Sequence, residues 1–175
     1  MHPALCQPLS RERAEVFDVV RDHGPVFAVG DLTGKYPYAH TAYEHARIVA
    51  GKLQGGPKPE AMDDTKVPHV VFTSPEVAAV GLTETEAKRD YKNIKSVKHN
   101  FAANSKARIL GEIQGWGKTV YDGETGGILG VHLVGPEATD LIGEACVLVS
   151  QKMTLEALEK VVHPHPTLNE IFGSH

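Results

Sequence analysis

The sequence predicts an α+β fold, an antiparallel sheet with helices on one face, preceded by the last strand and helix of an α/β domain. Two observations support this prediction. Residues 57–68 are rich in proline and charge, which is typical of a linker between domains. After this stretch, short strand-like runs come first and helical patterns follow, an order typical of α+β domains. We therefore predict an α/β segment at 1–56, a linker at 57–68 and the α+β domain at 69–175.

Composition and charge are those of an ordinary globular protein. The 175 residues are 41% hydrophobic and 23% charged, enough to build one good core. The net charge of −4 gives no electrostatic case for binding nucleic acid or an anionic membrane surface, and no apolar run approaches the ~20 residues of a membrane helix. Cys6 and Cys146 are isolated in sequence, and the N-terminus lacks the pattern of a signal peptide. We therefore expect a cytoplasmic protein without a disulfide framework.

The first segment contains one apolar run and one helical pattern. Residues 26–31 form a short apolar run that ends in Gly-Asp, which predicts a strand of a buried parallel sheet. Residues 39–53 are mostly good helix formers and predict a helix. Ligands of open α/β sheets bind outside the carboxyl ends of strands, so Asp31 is a candidate binding residue; alternatively, it only caps a turn. Residues 1–25 show no periodicity, and 11–21 fit a short helix or an irregular edge.

The α+β domain is predicted from strand-like runs, turn signals and helix caps. Thr83 and Glu86 have the spacing of a capping box, which predicts a helix to about residue 90. The glycine-rich stretch 122–127 predicts the turn of a β-hairpin. The predicted strands are 70–73, 94–101, 116–121 and 128–134, with a turn at 74–76 and a polar connection at 104–108.

Two further helices are predicted near the C-terminus, at 137–152 and 154–162. The apolar residues of the first helix share one face, a pattern that fits either a core or a subunit interface. These residues are Leu141, Ile142, Ala145, Leu148 and Val149.

The segment 162–170 concentrates the chemistry, because it places two imidazoles and a carboxylate among prolines. A histidine oriented by a carboxylate is a general acid–base arrangement, so His165 and Glu170 are the candidate catalytic pair. Glu170 also has the capping-box spacing to Thr167 and is alternatively only the cap of a helix. His163 is interpreted as a packing or hydrogen-bonding residue. A metal site at His163 and His165 is a further alternative, for which the sequence places no third ligand.

Three stretches of the chain resemble the motifs of one enzyme family, in the family's order. Residues 26–31 with 38–40 are similar to a second flavin-binding motif, and residues 72–84 are similar to the opening of a dimerisation domain. Residues 163–170, His-Pro-His-Pro-Thr-Leu-Asn-Glu, are similar to an active-site segment. Residues 24–173 thus resemble the C-terminal portion of the FAD-dependent pyridine nucleotide–disulfide oxidoreductases.

This resemblance implies a role for each matching residue. Asp31 would accept hydrogen bonds from the ribityl hydroxyls of FAD. His165 would be the acid–base that takes a proton from a dithiol, and Glu170 would orient its imidazole. The backbone groups that would lie against the flavin ring are those near Tyr38, Ala39 and His40.

The resemblance also implies partners and a substrate. Members of the family are homodimers in which the histidine of one subunit serves the flavin and disulfide of the other, so we expect a homodimer through 69–175. The active-site segment is most similar to the branch that acts on dihydrolipoamide, although other disulfides remain open as substrates. NAD(P) is implied as the second cofactor.

The sequence lacks three features of the family, namely a GxGxxG fingerprint, a CxxxxC disulfide and an NAD(P) domain. The FAD site is therefore expected to be incomplete. The leading hypothesis is a C-terminal fragment that is inactive alone and supplies the dimer interface and His165. The alternative is a stand-alone, non-catalytic dimerisation or interaction module.

Overall fold

The structure is a computed structural model that describes residues 19–21, 24–55 and 62–173. It divides into two compact units, residues 1–63 and residues 64–175. The limits of the three predicted parts, 1–56, 57–68 and 69–175, remain a prediction.

The first unit contains a small antiparallel strand pair and one helix. Strand β1 (Val19–Arg21) pairs with β2 (Gly24–Val26), and helix α1 (Ala39–Leu53) has the bounds expected from the sequence. The predicted strand at 26–31 is wrong. Strand β2 ends at Val26, and a 3-10 turn occupies Gly30–Thr33. Among the described residues no third strand joins this pair, so the apolar run has no parallel neighbour against which to form a ladder.

The second unit is built on a five-stranded antiparallel sheet, which confirms the predicted fold class. The strands follow the spatial order β3-β4-β7-β6-β5. A β-hairpin joins β6 and β7, as predicted. The strands are β3 (His69–Val71), β4 (Glu76–Gly81), β5 (Ile94–Asn100), β6 (Trp116–Asp122) and β7 (Ile128–Gly135).

Two elements of this unit were not expected from the sequence. Strand β4 begins inside the predicted turn at 74–76 and lies between β3 and β7, with Ala78 and Val80 buried. The predicted polar connection at 104–108 is wrong, because helix α3 (Ser105–Leu110) occupies it. The side chain of Asn104 caps this helix by accepting the Ala107 N–H at 2.9 Å.

The other helices begin close to where they were expected. Helix α2 (Glu84–Asp90) has the predicted capping box, in which the Thr83 hydroxyl accepts the Glu86 N–H and the Glu86 carboxylate accepts the Thr83 N–H. Helix α5 (Leu155–Glu159) ends three residues before the predicted 162. No helix in the described ranges is both long and apolar enough to span a bilayer.

Helix α4 (Ala138–Ser150) packs on β4 and β7 and closes the main core. Its predicted apolar face is buried inside this chain and is therefore a core face. The five residues of the predicted face are all buried, namely Leu141, Ile142, Ala145, Leu148 and Val149. Phe101, Val131 and Leu133 lie in the same core and are at most 1% exposed.

Candidate active site

The candidate site lies on an irregular segment that follows α5. Residues 160–167 have no helix or strand, and a 3-10 turn covers Leu168–Ile171. Prolines at 164 and 166 remove backbone donors on either side of His165. Without a hydrogen-bonded ladder of its own, this segment is held mainly by side chains.

The structure brings the predicted pair together. His165 Nδ1 lies 2.8 Å from Glu170 Oε1, and Glu170 Oε2 accepts the Thr167 N–H at 2.9 Å. A carboxylate only accepts hydrogen bonds, so the proton of neutral His165 is on Nδ1 and the lone pair is on Nε2. The His165 side chain is 67% exposed, whereas that of Glu170 is 10% exposed. Glu170 can therefore serve both as the partner of the imidazole and as a helix cap, because one oxygen contacts His165 while the other caps the turn.

His163 occupies a different environment. Its side chain is only 4% exposed, and its Nε2 lies 2.8 Å from Glu144 Oε1 on α4. The second oxygen, Glu144 Oε2, accepts a hydrogen bond from Asn169 Nδ2 at 2.8 Å. His163 is thus a buried hydrogen-bonding residue, in agreement with its interpretation from the sequence.

Asn104 makes a third contact with the segment. Its side-chain Nδ2 donates to the Thr167 carbonyl at 3.0 Å while its Oδ1 caps α3. Asn104 is 8% exposed, so both polar atoms are satisfied in a largely buried position. Neither Asn104, Glu144 nor Asn169 was expected from the sequence to serve the site, and only the N-cap character of Asn104 had a readable signal.

A cleft of about 370 Å³ lies beside the pair. His163, His165 and Glu170 line one part of it. The other part is formed by the end of β5 and the start of α3, with Asn100, Asn104 and Ser105 among the lining residues. The exposed His165 imidazole therefore lies at the edge of a cavity large enough for a small substituent chain.

The residues predicted to bind a flavin lie in the first unit. Asp31 is exposed in the 3-10 turn that precedes α1. Tyr38 is the N-cap residue of α1, and its own side chain makes no capping hydrogen bond to the helix. The rings of Tyr38 and His40 stack with their centroids 5.0 Å apart. Ala39 and His40 are exposed at the first turn of the helix.

Cys146 on α4 does not have the character of a redox nucleophile. Burial raises the pKa of its thiol, which favours the protonated form over the reactive thiolate. It is a free cysteine, and Cys6 lies outside the described residues.

A metal site finds no support in the geometry. Over residues 19–21, 24–55 and 62–173, no three His, Cys, Asp or Glu side chains come together as metal ligands would. His163 and His165 are instead bound to separate carboxylates, those of Glu144 and Glu170.

Comparison with known proteins gives one family and a consistent group of relatives. Residues 67–175 match the family model described as the pyridine nucleotide-disulphide oxidoreductase dimerisation domain. The chain is 43% identical over 148 residues to dihydrolipoyl dehydrogenase of Bacillus subtilis, which covers 85% of this chain and 31% of that protein. It is 40% identical over 145 residues to the Rhizobium etli enzyme of the same name, covering 83% and 30%.

Solved structures show the same likeness. LpdA from Mycobacterium tuberculosis superposes with a TM-score of 0.76 at 27% identity, covering 82% of this chain and 31% of that one. The Cu(II) complex of the HOCl-induced flavoprotein disulfide reductase RclA from Escherichia coli gives a TM-score of 0.75 at 27% identity, covering 83% and 33%. The chain therefore spans about one third of the length of the proteins that it matches.

Proposed function

The chain belongs to the pyridine nucleotide-disulphide oxidoreductase dimerisation domains, and from that premise we propose that it supplies the subunit interface and the acid–base histidine of an FAD-dependent disulfide oxidoreductase of the dihydrolipoamide dehydrogenase type. The observation that carries the proposal is the contact of 2.8 Å between His165 Nδ1 and Glu170 Oε1. It joins a well-exposed imidazole to a largely buried carboxylate, the combination that proton transfer to and from a substrate requires.

His165 exchanges its proton at Nε2, because Glu170 holds the proton on Nδ1. A substrate thiol gives its proton to Nε2, which produces a thiolate and an imidazolium, and the Glu170 carboxylate stabilises that imidazolium. The thiolate attacks one sulfur of a disulfide, a new S–S bond forms as the old one breaks, and the other sulfur leaves as a thiolate. The imidazolium then returns its proton to a leaving thiolate or to water.

The residues of the first unit fit one edge of an FAD site. The exposed Asp31 carboxylate is an acceptor suited to hydroxyl donors. Helix α1 begins at Ala39, so the backbone groups near Tyr38, Ala39 and His40 lie at a helix N-terminus, which suits a polar ring edge. When bound, FAD would accept the electron pair from the dithiol and pass it to NAD(P). We propose no residue of this chain as a contact for NAD(P).

We propose that two copies associate through the second unit. Because the apolar face of α4 is used in the core, the interface must draw on other residues. Large apolar side chains remain exposed on this unit, and burying several of them would favour association. They include Val71, Phe72, Ile109, Leu110, Ile113, Val147 and Val162.

Dihydrolipoamide is the proposed substrate, with the relatives named dihydrolipoyl dehydrogenase as support. The cleft beside His165 would admit the end of a dithiol chain. A cytoplasmic location, expected from the isolated cysteines, belongs to the same proposal.

Combining the chain with the two thirds of a relative that it does not match tests this function. The chain is co-expressed with the N-terminal part of the Bacillus subtilis enzyme that it does not match, and flavin absorbance and dihydrolipoamide-dependent NAD reduction are measured. We expect flavin to be retained and activity to appear only in the reassembled protein. His165→Gln should lower kcat by roughly 10²–10⁴-fold, the usual contribution of general acid–base catalysis.

The matched control is His69→Gln, which changes an exposed histidine on β3. It should leave both the flavin absorbance and the activity unchanged. Full activity in His165→Gln would refute the proposed role of this residue. Persistent lack of flavin, with a dimer in light scattering, would favour the stand-alone, non-catalytic interaction module. NAD reduction by the chain alone would contradict its expected inactivity.

A further inference from the structure

We propose that Glu144 is a positioning residue for the His165–Glu170 pair, acting through a clamp on both ends of the active-site segment. This inference rests on the proposed function of that pair and adds a residue to it. Glu144 lies on α4, 21 positions before His165, and no motif connects the two. It does not touch the imidazole that exchanges protons.

The clamp consists of two hydrogen bonds from one carboxylate. Glu144 Oε1 is 2.8 Å from His163 Nε2, and Glu144 Oε2 is 2.8 Å from Asn169 Nδ2. His163 lies two residues before His165, and Asn169 lies one residue before Glu170. The separation of these anchors therefore sets the separation of the two members of the pair.

Burial makes the hydrogen bonds of the clamp costly to lose. The side chains of His163 and Glu144 are 4% and 26% exposed, so each depends on its partner more than a surface group would. His163 Nδ1 is buried and has no hydrogen-bond partner, which leaves the bond from Nε2 as the only polar contact that fixes this ring within the described residues. A carboxylate accepts from Nε2, so neutral His163 carries its proton there.

The base of the clamp is rigid. Helix α4 is fixed to β4 and β7 by a buried apolar face, and Ala145, the neighbour of Glu144, is fully buried. The segment that carries His165 has no regular structure around that residue. Glu144 thus fixes this irregular segment to the rigid core, as supporting side chains of functional sites do.

Glu144→Gln removes one of the two bonds with little change in shape. A carboxamide offers one acceptor oxygen and one donor group, whereas His163 Nε2–H and Asn169 Nδ2–H both require an acceptor. One end of the segment is therefore released, unless His163 moves its proton to Nδ1, which is buried without a partner among the described residues. The matched control is Glu156→Gln, which removes the same charge from an exposed carboxylate on α5.

The readout is the ¹⁵N spectrum of the histidine rings in the full 175-residue chain at about pH 8, above the ordinary imidazole pKa. In the unaltered chain His165 should show two well-separated ring nitrogens, because Glu170 fixes the proton on Nδ1. In Glu144→Gln the two His165 resonances should move towards each other, as the ring samples both tautomers. Glu156→Gln should leave them separated.

Each outcome decides the inference. Unchanged His165 resonances in Glu144→Gln, with His163 still protonated on Nε2 and a native amide spectrum, would show that Glu144 does not position His165 and would overturn it. Averaged His165 resonances in the unaltered chain would overturn both this inference and the geometry behind the proposed function. If Glu144→Gln unfolds, or if its His163 is protonated on Nδ1, Asn169→Ala decides, because it removes one anchor and keeps the His163–Glu144 pair. Movement of the His165 resonances there supports the clamp, and no movement refutes it.

Discussion

Replacing Asn104 should loosen the active-site segment, and two substitutions separate its two roles. The Asn104 Oδ1 atom caps α3 through the Ala107 N–H, and its Nδ2 atom ties the segment through the Thr167 carbonyl. Asn104→Ser keeps a capping oxygen and loses the donor to Thr167, because the shorter side chain does not reach that carbonyl. Asn104→Ala loses both interactions.

The size of each effect follows from these contacts. Loss of one hydrogen bond at a largely buried position costs about 1 kcal/mol, so Asn104→Ser should lower the free energy of unfolding by about that amount. Loss of an N-cap costs about 1 kcal/mol more, so Asn104→Ala should cost about 2 kcal/mol. The two variants therefore differ by the cap alone.

Urea unfolding and amide hydrogen exchange measure the two roles. The urea midpoints should fall in the order unaltered chain, Asn104→Ser, Asn104→Ala, with equal slopes. In both variants the exchange of amides in 167–173 should accelerate, whereas the amides of α3 should accelerate only in Asn104→Ala. Equal stability of Asn104→Ser and the unaltered chain, with unchanged exchange in 167–173, would refute the view that Asn104 holds this segment.

Two other predictions concern the sheet and a helix cap. Gly135→Ala should lower the free energy of unfolding by about 3 kcal/mol, because a Cβ there would lie 2.3 Å from the buried Phe101 ring. Gly143→Ala in α4 should raise it by about 0.5–1 kcal/mol, because a Cβ there meets open space within this chain. Similar urea midpoints for the two variants would contradict this prediction. Hydrogen bonds from the Thr83 backbone and side chain lower the pKa of Glu86 from its ordinary 4.5, so this carboxylate stabilises the folded chain above that pH and less as the pH falls through its folded pKa. Glu86→Gln should therefore be less stable than the unaltered chain at pH 7 but approach it in acid, and a difference in unfolding free energy that does not change with pH would exclude the carboxylate as its source.

The parts of the fold that could be predicted are those with local signals. Helix α1, the capping box of α2 and the β6–β7 hairpin each depend on residues close in sequence, and each was predicted correctly. Helix α3 also had such signals, since Asn104 precedes six helix-compatible residues and Gly111 follows them. The polar character of 104–108 obscured them.

The predictions that no local sequence signal could correct concern which strands pair with each other in the folded chain. The run at 26–31 has the composition of a buried parallel strand, but composition does not supply the neighbouring strands that such a sheet needs. Strand β4 is short and follows a Ser-Pro turn. It lies between β3 and β7, and its partners on β7 are about 50 to 60 residues away in sequence. Long-range pairing decides these cases.

The proposed active site shows the same division between local and distant determinants. His165 and Glu170 are five residues apart, so their contact could be predicted from spacing and resemblance. The residues that hold them, Asn104 and Glu144, lie 61 and 21 positions before His165 and carry no motif. Because the irregular stretch with prolines at 164 and 166 has few backbone hydrogen bonds of its own, its geometry must come from such side chains. A chain could therefore keep the His-Pro-His-Pro-Thr-Leu-Asn-Glu sequence and still lose the 2.8 Å contact, if the residues on α4 and before α3 no longer matched it.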